Sequence, residues 1–152
     1  MTALSDEEHL LVWTWRRIVT GRGGCPLIER EFSRLCGEDA GEVLATFCTF
    51  LRAVAHASRR RLQIGYPGYP GLTNDERQLL ILIATAQTGD EARFEAHLRW
   101  IARAELALAL AIAIRALGTA LEVHGLRLPS TDLDEERAEA RPLGFVPANP
   151  AR

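Results

Sequence analysis

Arg59, Arg60 and Arg61 stand in a row shortly before Tyr66 and Tyr69. Guanidinium forks beside phenol rings can grip a carboxylate-rich peptide, a phosphate group or the bases of a single strand. The same three cations also suit the negative end of a helix, where they would bond the last carbonyls. Trp13 lies off the stripe formed by Leu11, Trp15 and Ile18, with Arg17 one turn later. It is either half of a surface cation–π stack or an aromatic anchor for a partner. Trp13, Arg59, Arg60, Arg61, Tyr66 and Tyr69 are therefore the candidate partner-binding residues. A protein partner is expected ahead of nucleic acid, because 18 basic residues against 20 acidic ones leave a net charge of -2 and no polyanion-recruiting field.

Residues that could do covalent or metal chemistry are present without a pattern. Cys25, Cys36 and Cys48 are odd in number and form no CxxC, so neither a disulfide framework nor a zinc cage is expected. They read as reduced thiols serving as small core residues. His9, His56, His97 and His124 fall in separate segments, with no Glu-x-x-His pair of the carboxylate-metal kind. No G-x-S-x-G element marks a nucleophile. Gly21, Gly23 and Gly24 follow a helix and lack the Lys-Ser/Thr of a phosphate loop, so they read as a turn. No catalytic, cofactor-binding or metal residue is assigned, and no cofactor is implied. A Cys–His pair assembled in space keeps open an alternative reading, a small-molecule-binding protein or small enzyme with a pocket between helices. A nucleic-acid-binding regulator is a weaker alternative, marked by steep salt dependence.

Glu105 is the other notable polar residue, in line with Leu98, Ile101, Leu108 and Ile112 on an otherwise apolar helix face. A carboxylate there either reaches solvent at the edge of the stripe or is buried against a cation, Arg52 being the candidate.

The elements that must position these residues read as helices throughout. Ser5 with Glu8 is a capping box opening a helix over 6–20. Pro26 suits the first turn of a short second helix that Gly37 ends. Val43, Leu44, Phe47, Leu51, Val54 and Ala55 recur at helical spacing in a third helix, from Ala40 or Gly41 to about Arg61. The doubled Gly-Tyr-Pro of residues 65–71 excludes helix. Thr73 with Glu76 caps a fourth helix through the apolar run 79–84, with Gly89 near its end. Asp90 opens the last and longest helix, to Gly125, with Phe94, Leu98, Ile101, Leu108 and Ile112 on one face and Trp100, Ala107, Ile114, Leu117 and Leu121 on another. The period-two run 106–114 stays helical because its alternate residue is Ala, a poor strand former. Having no polar group on any face, it is either surrounded by the bundle or covered in part by a second copy.

The expected architecture is all-α: a compact four- to five-helix bundle around a long central C-terminal helix, in one domain over 1–128. The charged and Pro-rich remainder, 129–152, reads as a tail with little to pack. A hydrophobic fraction of 47% and a charged fraction of 25% suit a folded chain. Asp6, Glu7 and Glu8 stand where a signal peptide would be basic, and the longest unbroken apolar run falls short of a bilayer crossing. A cytoplasmic protein without a membrane span is expected.

Taken together, a leading helix ending in Trp15-Arg16-Arg17-Ile18, a helix ending in Arg59-Arg60-Arg61, a Gly/Pro loop, and Leu72-Thr73-Asn74-Asp75-Glu76 before Leu79-Leu80 resemble a family of small all-helical bacterial proteins of unknown function. The resemblance covers the first two-thirds of the chain. It implies a helical fold and adds no activity. The functional expectation is a protein-interaction or regulatory module that works without catalysis and pairs with itself as a homodimer.

Overall fold

The computed structural model describes residues 4–21 and 24–129. The expected tail from 130 onward, and Gly23 of the first glycine turn, lie outside the described residues. The architecture is all-α, with six α-helices among the described residues, in the order α1 (Asp6–Val19), α2 (Pro26–Cys36), α3 (Ala40–Ala57), α4 (Asn74–Thr88), α5 (Glu91–Ile101) and α6 (Ala107–Val123). The reciprocal capping boxes form at both expected places, Ser5 with Glu8 and Thr73 with Glu76, each satisfying two amides the helix start leaves open. Pro26 sits in the first turn of α2. Gly89 ends α4 in the left-handed region at φ 77°, which a side chain would strain.

Burial follows from these periodicities. Trp15 of α1, Phe32 of α2 and Phe47 and Phe50 of α3 are wholly buried. Phe47 is their hub, stacked 6.3 Å from Trp15 and tilted against Phe32 and Phe50 at 6.2 and 6.0 Å. The run Leu79 to Ala84 is buried on every side, which places α4 inside the molecule. The long C-terminal helix packs against both α3 and α4. At its seam with α4, a Cβ on Gly118 would lie 3.4 Å from the Gln87 side chain and 3.7 Å from Ala86, ordinary contact distances that show how closely the two helices pack. Among the described residues, the stretch Ala104–Val123 is the one long and apolar enough to cross a membrane; here its inner face is taken up by α3 and α4.

Two helix boundaries differ from expectation, for one shared reason. The third helix stops at Ala57 rather than near Arg61, and the last one is interrupted between Ile101 and Ala107. Ser58 and Ala102 both turn to extended geometry and pair as an antiparallel bridge. Arg59 N–H donates to the Ile101 carbonyl at 2.9 Å and Arg103 N–H to the Ala57 carbonyl at 2.8 Å. Each helix end thus satisfies open backbone groups of the other. The consequence for side chains is large, because the interruption breaks the expected line through Leu98, Ile101, Glu105, Leu108 and Ile112. Leu98 and Ile101 are buried, whereas Glu105, Leu108 and Ile112 are exposed.

Candidate functional site

The expected buried pair is not formed: Glu105 and Arg52 are both exposed, and Arg52 reaches only Thr49 Oγ1 on its own helix, at 3.5 Å. A different ionic pair occupies the interior. Arg16 of α1 donates from Nε and Nη2 to the two oxygens of Glu76, each at 2.8 Å, and the Glu76 side chain has no exposure. The same carboxylate accepts the Gly65 N–H at 2.8 Å and the Thr73 N–H at 2.9 Å, so each of its oxygens holds two donors. Arg16 spends its remaining reach on the carbonyls of Tyr69 and Gly71, at 2.9 and 2.7 Å. A buried charge pair persists only with this degree of hydrogen bonding. Gly65 is required beside it, since a Cβ there would sit 3.0 Å from the guanidinium.

The neighbouring carboxylate does the same for the preceding segment. Asp75 takes both terminal nitrogens of Arg60, at 2.9 and 2.5 Å, and the Gln63 N–H at 2.7 Å. Asp75 and Glu76, consecutive residues at the start of α4, thereby tie down the whole connection from Arg60 to Gly71.

This arrangement divides the candidate residues. Tyr69 lies against the Arg16 guanidinium at 5.4 Å and meets Tyr66 edge-on at 5.5 Å. Burial, followed by the Glu76 charge, pushes its phenol above the usual value. The two rings and Arg60 are therefore engaged in holding the loop. Trp13 is half-buried against the core, with the Arg17 guanidinium 4.8 Å from its ring, the intramolecular stack. Arg59 and Arg61 lie beyond the end of α3, exposed, on the connection to α4. Arg59 directly follows the α3 C-cap Ser58, and its Nε donates to the Arg99 carbonyl rather than to a last carbonyl of α3.

The bridge brings cations that spacing alone did not connect to them. Arg99, Trp100 and Arg103 arrive from the α5 end; all three are exposed, Trp100 at 49%. Arg59 Nε donates to the Arg99 carbonyl at 3.0 Å, Arg103 donates to the His56 carbonyl, and Arg60 lies 5.5 Å from the Trp100 ring. A second exposed feature is the outer side of α6, where Leu108, Ile112 and Val123 are 75, 62 and 74% exposed and Ala109, Ala116 and Thr119 are exposed between them.

Cys36 is buried, Cys25 and Cys48 are half-buried, and all three are free. Burial, with the Asp39 charge, raises the Cys36 thiol above its ordinary value, which keeps it protonated and unreactive. His97 Nδ1 is 2.6 Å from Gln78 Oε1, and His124 approaches Asp39 at 3.5 Å. Among the described residues no group of three or more His, Cys, Asp or Glu is placed to hold a metal ion. Comparison with known proteins finds no matching family model, curated protein or solved structure.

Proposed function

We propose that the protein is a non-catalytic interaction module of the cytoplasm whose first partner is a second copy of itself, paired through the outer side of α6. The observation that carries this reading is the row Leu108, Ile112 and Val123, 75, 62 and 74% exposed on a helix whose opposite face is packed. Apolar side chains grouped in this way mark a contact surface rather than ordinary scatter. A second copy suits the row because it matches itself when reversed. Antiparallel pairing about a two-fold axis sets Leu108 opposite Val123 and Ile112 opposite Thr119, with Ala116 near the axis and small enough for close approach. It also opposes the two helix dipoles. One face of a helix about 26 Å long gives an interface at the small end of the specific range, below about 1,200 Å² in total. The dimer is therefore expected to dissociate in the micromolar range.

Sedimentation equilibrium over a concentration series tests this. The wild type is expected to pass from monomer to dimer, and Leu108→Glu with Ile112→Glu to stay monomeric with an unchanged melting midpoint. A wild type that remains monomeric at the highest concentration overturns the reading. So does a wild type that floats with lipid vesicles and never pairs, since α6 is apolar enough for that environment.

A further inference from the structure

We propose that the crossing of the extended segments at Ser58 and Ala102 is a docking site for an acidic peptide segment, rich in Asp and Glu and bound in extended form. The site is separate from the α6 surface. Its frame is rigid, because the Ser58–Ala102 bridge and the flanking bonds from Arg59 to Ile101 and Arg103 to Ala57 lock two chain segments side by side. Their side chains supply five guanidiniums, from Arg59, Arg60, Arg61, Arg99 and Arg103. Two carboxylates belong to the same region, Asp75, bonded to Arg60, and Glu105, exposed two residues after Arg103.

The geometry separates structural from available cations. Arg60 is committed to Asp75 and lies against the Trp100 ring, whereas Arg59 and Arg61, on either side of it, are exposed. Arg59 and Arg103 are each braced through one nitrogen on a backbone carbonyl, which orders the guanidinium and leaves its other donors for a ligand. Among the described residues, Arg59, Arg61, Arg99 and Arg103 have no carboxylate partner. Four positive groups without one, in a chain of net charge -2, form a local field opposite to the whole.

The backbone points to the form of the ligand. Among the described residues, the N–H groups of Arg60, Arg61 and Leu62, which follow the bridge residue Ser58, have no hydrogen-bond partner. A peptide can accept a main-chain bond from one of these groups while its carboxylates meet the guanidinium forks. Trp100, half exposed at the margin, supplies one aromatic contact. A single ring gives no ladder for successive bases, and the net charge disfavours a polyanion as long as a nucleic acid. Both considerations favour a short acidic peptide.

Fluorescence anisotropy with a labelled oligoglutamate peptide, next to an oligothymidine of equal charge, tests the site. The peptide is expected to bind more tightly than the oligothymidine. Arg59→Glu with Arg61→Glu is expected to weaken it at least about tenfold, the loss of two charge-assisted contacts. The same reversal at Arg30 and Arg34 on α2 controls for net charge and should change binding far less. Equal losses in the two double variants, tighter binding of the oligothymidine, or no binding of the peptide overturn the proposal. Binding is expected to persist in the monomeric Leu108→Glu, Ile112→Glu variant, so this proposal and self-association can fail separately.

Discussion

At the scale of single residues, the interior is governed by one pair that the sequence conceals. Arg16 reads as one cation in a pair at the end of α1, and Glu76 reads as the return partner of a capping box, a role it keeps: its Oε2 takes the Thr73 N–H at 2.9 Å. The arginine is what periodicity could have flagged, since it lies on the line Glu8, Val12, Arg16, all buried, where a charge requires a partner. The identity of that partner is sixty positions away and depends on the packing of α1 against the start of α4, which no local pattern encodes. Removing one member leaves the other charge buried with its cost unrelieved. Arg16→Met is therefore expected to lose about 3–5 kcal/mol in urea unfolding, and Arg16→Lys to recover little, because an ammonium cannot reproduce the fork that holds both oxygens and two carbonyls. The double variant Arg16→Met with Glu76→Gln should recover part of the loss, since an uncharged side chain can still accept from Thr73. If the single and double variants are equally unstable, the buried charge is not the source of the cost.

At the scale of elements, starts were legible and two ends were not. Helix starts carry local chemistry: Ser5 and Thr73 each accept an amide within three residues, and residue types alone announce that. The end of α3 and the interruption before α6 carry no Gly or Pro, and Ala-rich sequence favours continuing the helix. They end because Ser58 and Ala102 meet across the fold, a tertiary preference overriding a local one. The break hid how Arg103 joins the basic face, because a helix continuous through 101–107 would have pointed it elsewhere, and the early end of α3 hid that Arg59 meets Arg99 and that Arg60 meets Trp100. Cap strength can be ranked from the contacts each hydroxyl makes. Ser5 Oγ accepts the Glu8 N–H at 3.2 Å. Thr73 Oγ1 accepts the Glu76 N–H at 3.1 Å and also donates to the Gln63 carbonyl at 2.6 Å, joining the helix start to the loop. Ser5→Ala should cost about 1 kcal/mol and Thr73→Ala about 2 by thermal and urea unfolding. Equal costs would mean that the Gln63 bond adds nothing to the cap.

At the scale of the whole molecule, the all-α bundle and its long C-terminal helix follow from composition and period. What closes the bundle is a side chain with no motif at all. Gln87, in the last turns of α4, donates from Nε2 to the carbonyls of Gly118 and Leu126, at 3.2 and 2.9 Å, and accepts the Leu128 N–H at Oε1, at 2.8 Å. One amide thus fastens α4 to α6 at the Gly118 carbonyl, and folds the chain after α6 back so that Leu126 and Leu128 are buried. Glutamine suits the position because its two ends differ, one donating twice and the other accepting. Gln87→Leu keeps the volume and removes all three bonds, at about 1 kcal/mol each, and strands the Leu128 N–H. Hydrogen exchange should then show the amides of Leu126 and Leu128 exchanging faster than those of the α4 interior, because the segment after α6 opens without the rest. Uniform acceleration across α4 and α6 would mean instead that the clasp is part of a single cooperative unit. The α6 surface would then be expected to lose self-association in the same variant, since its helix would no longer be held in register against α4.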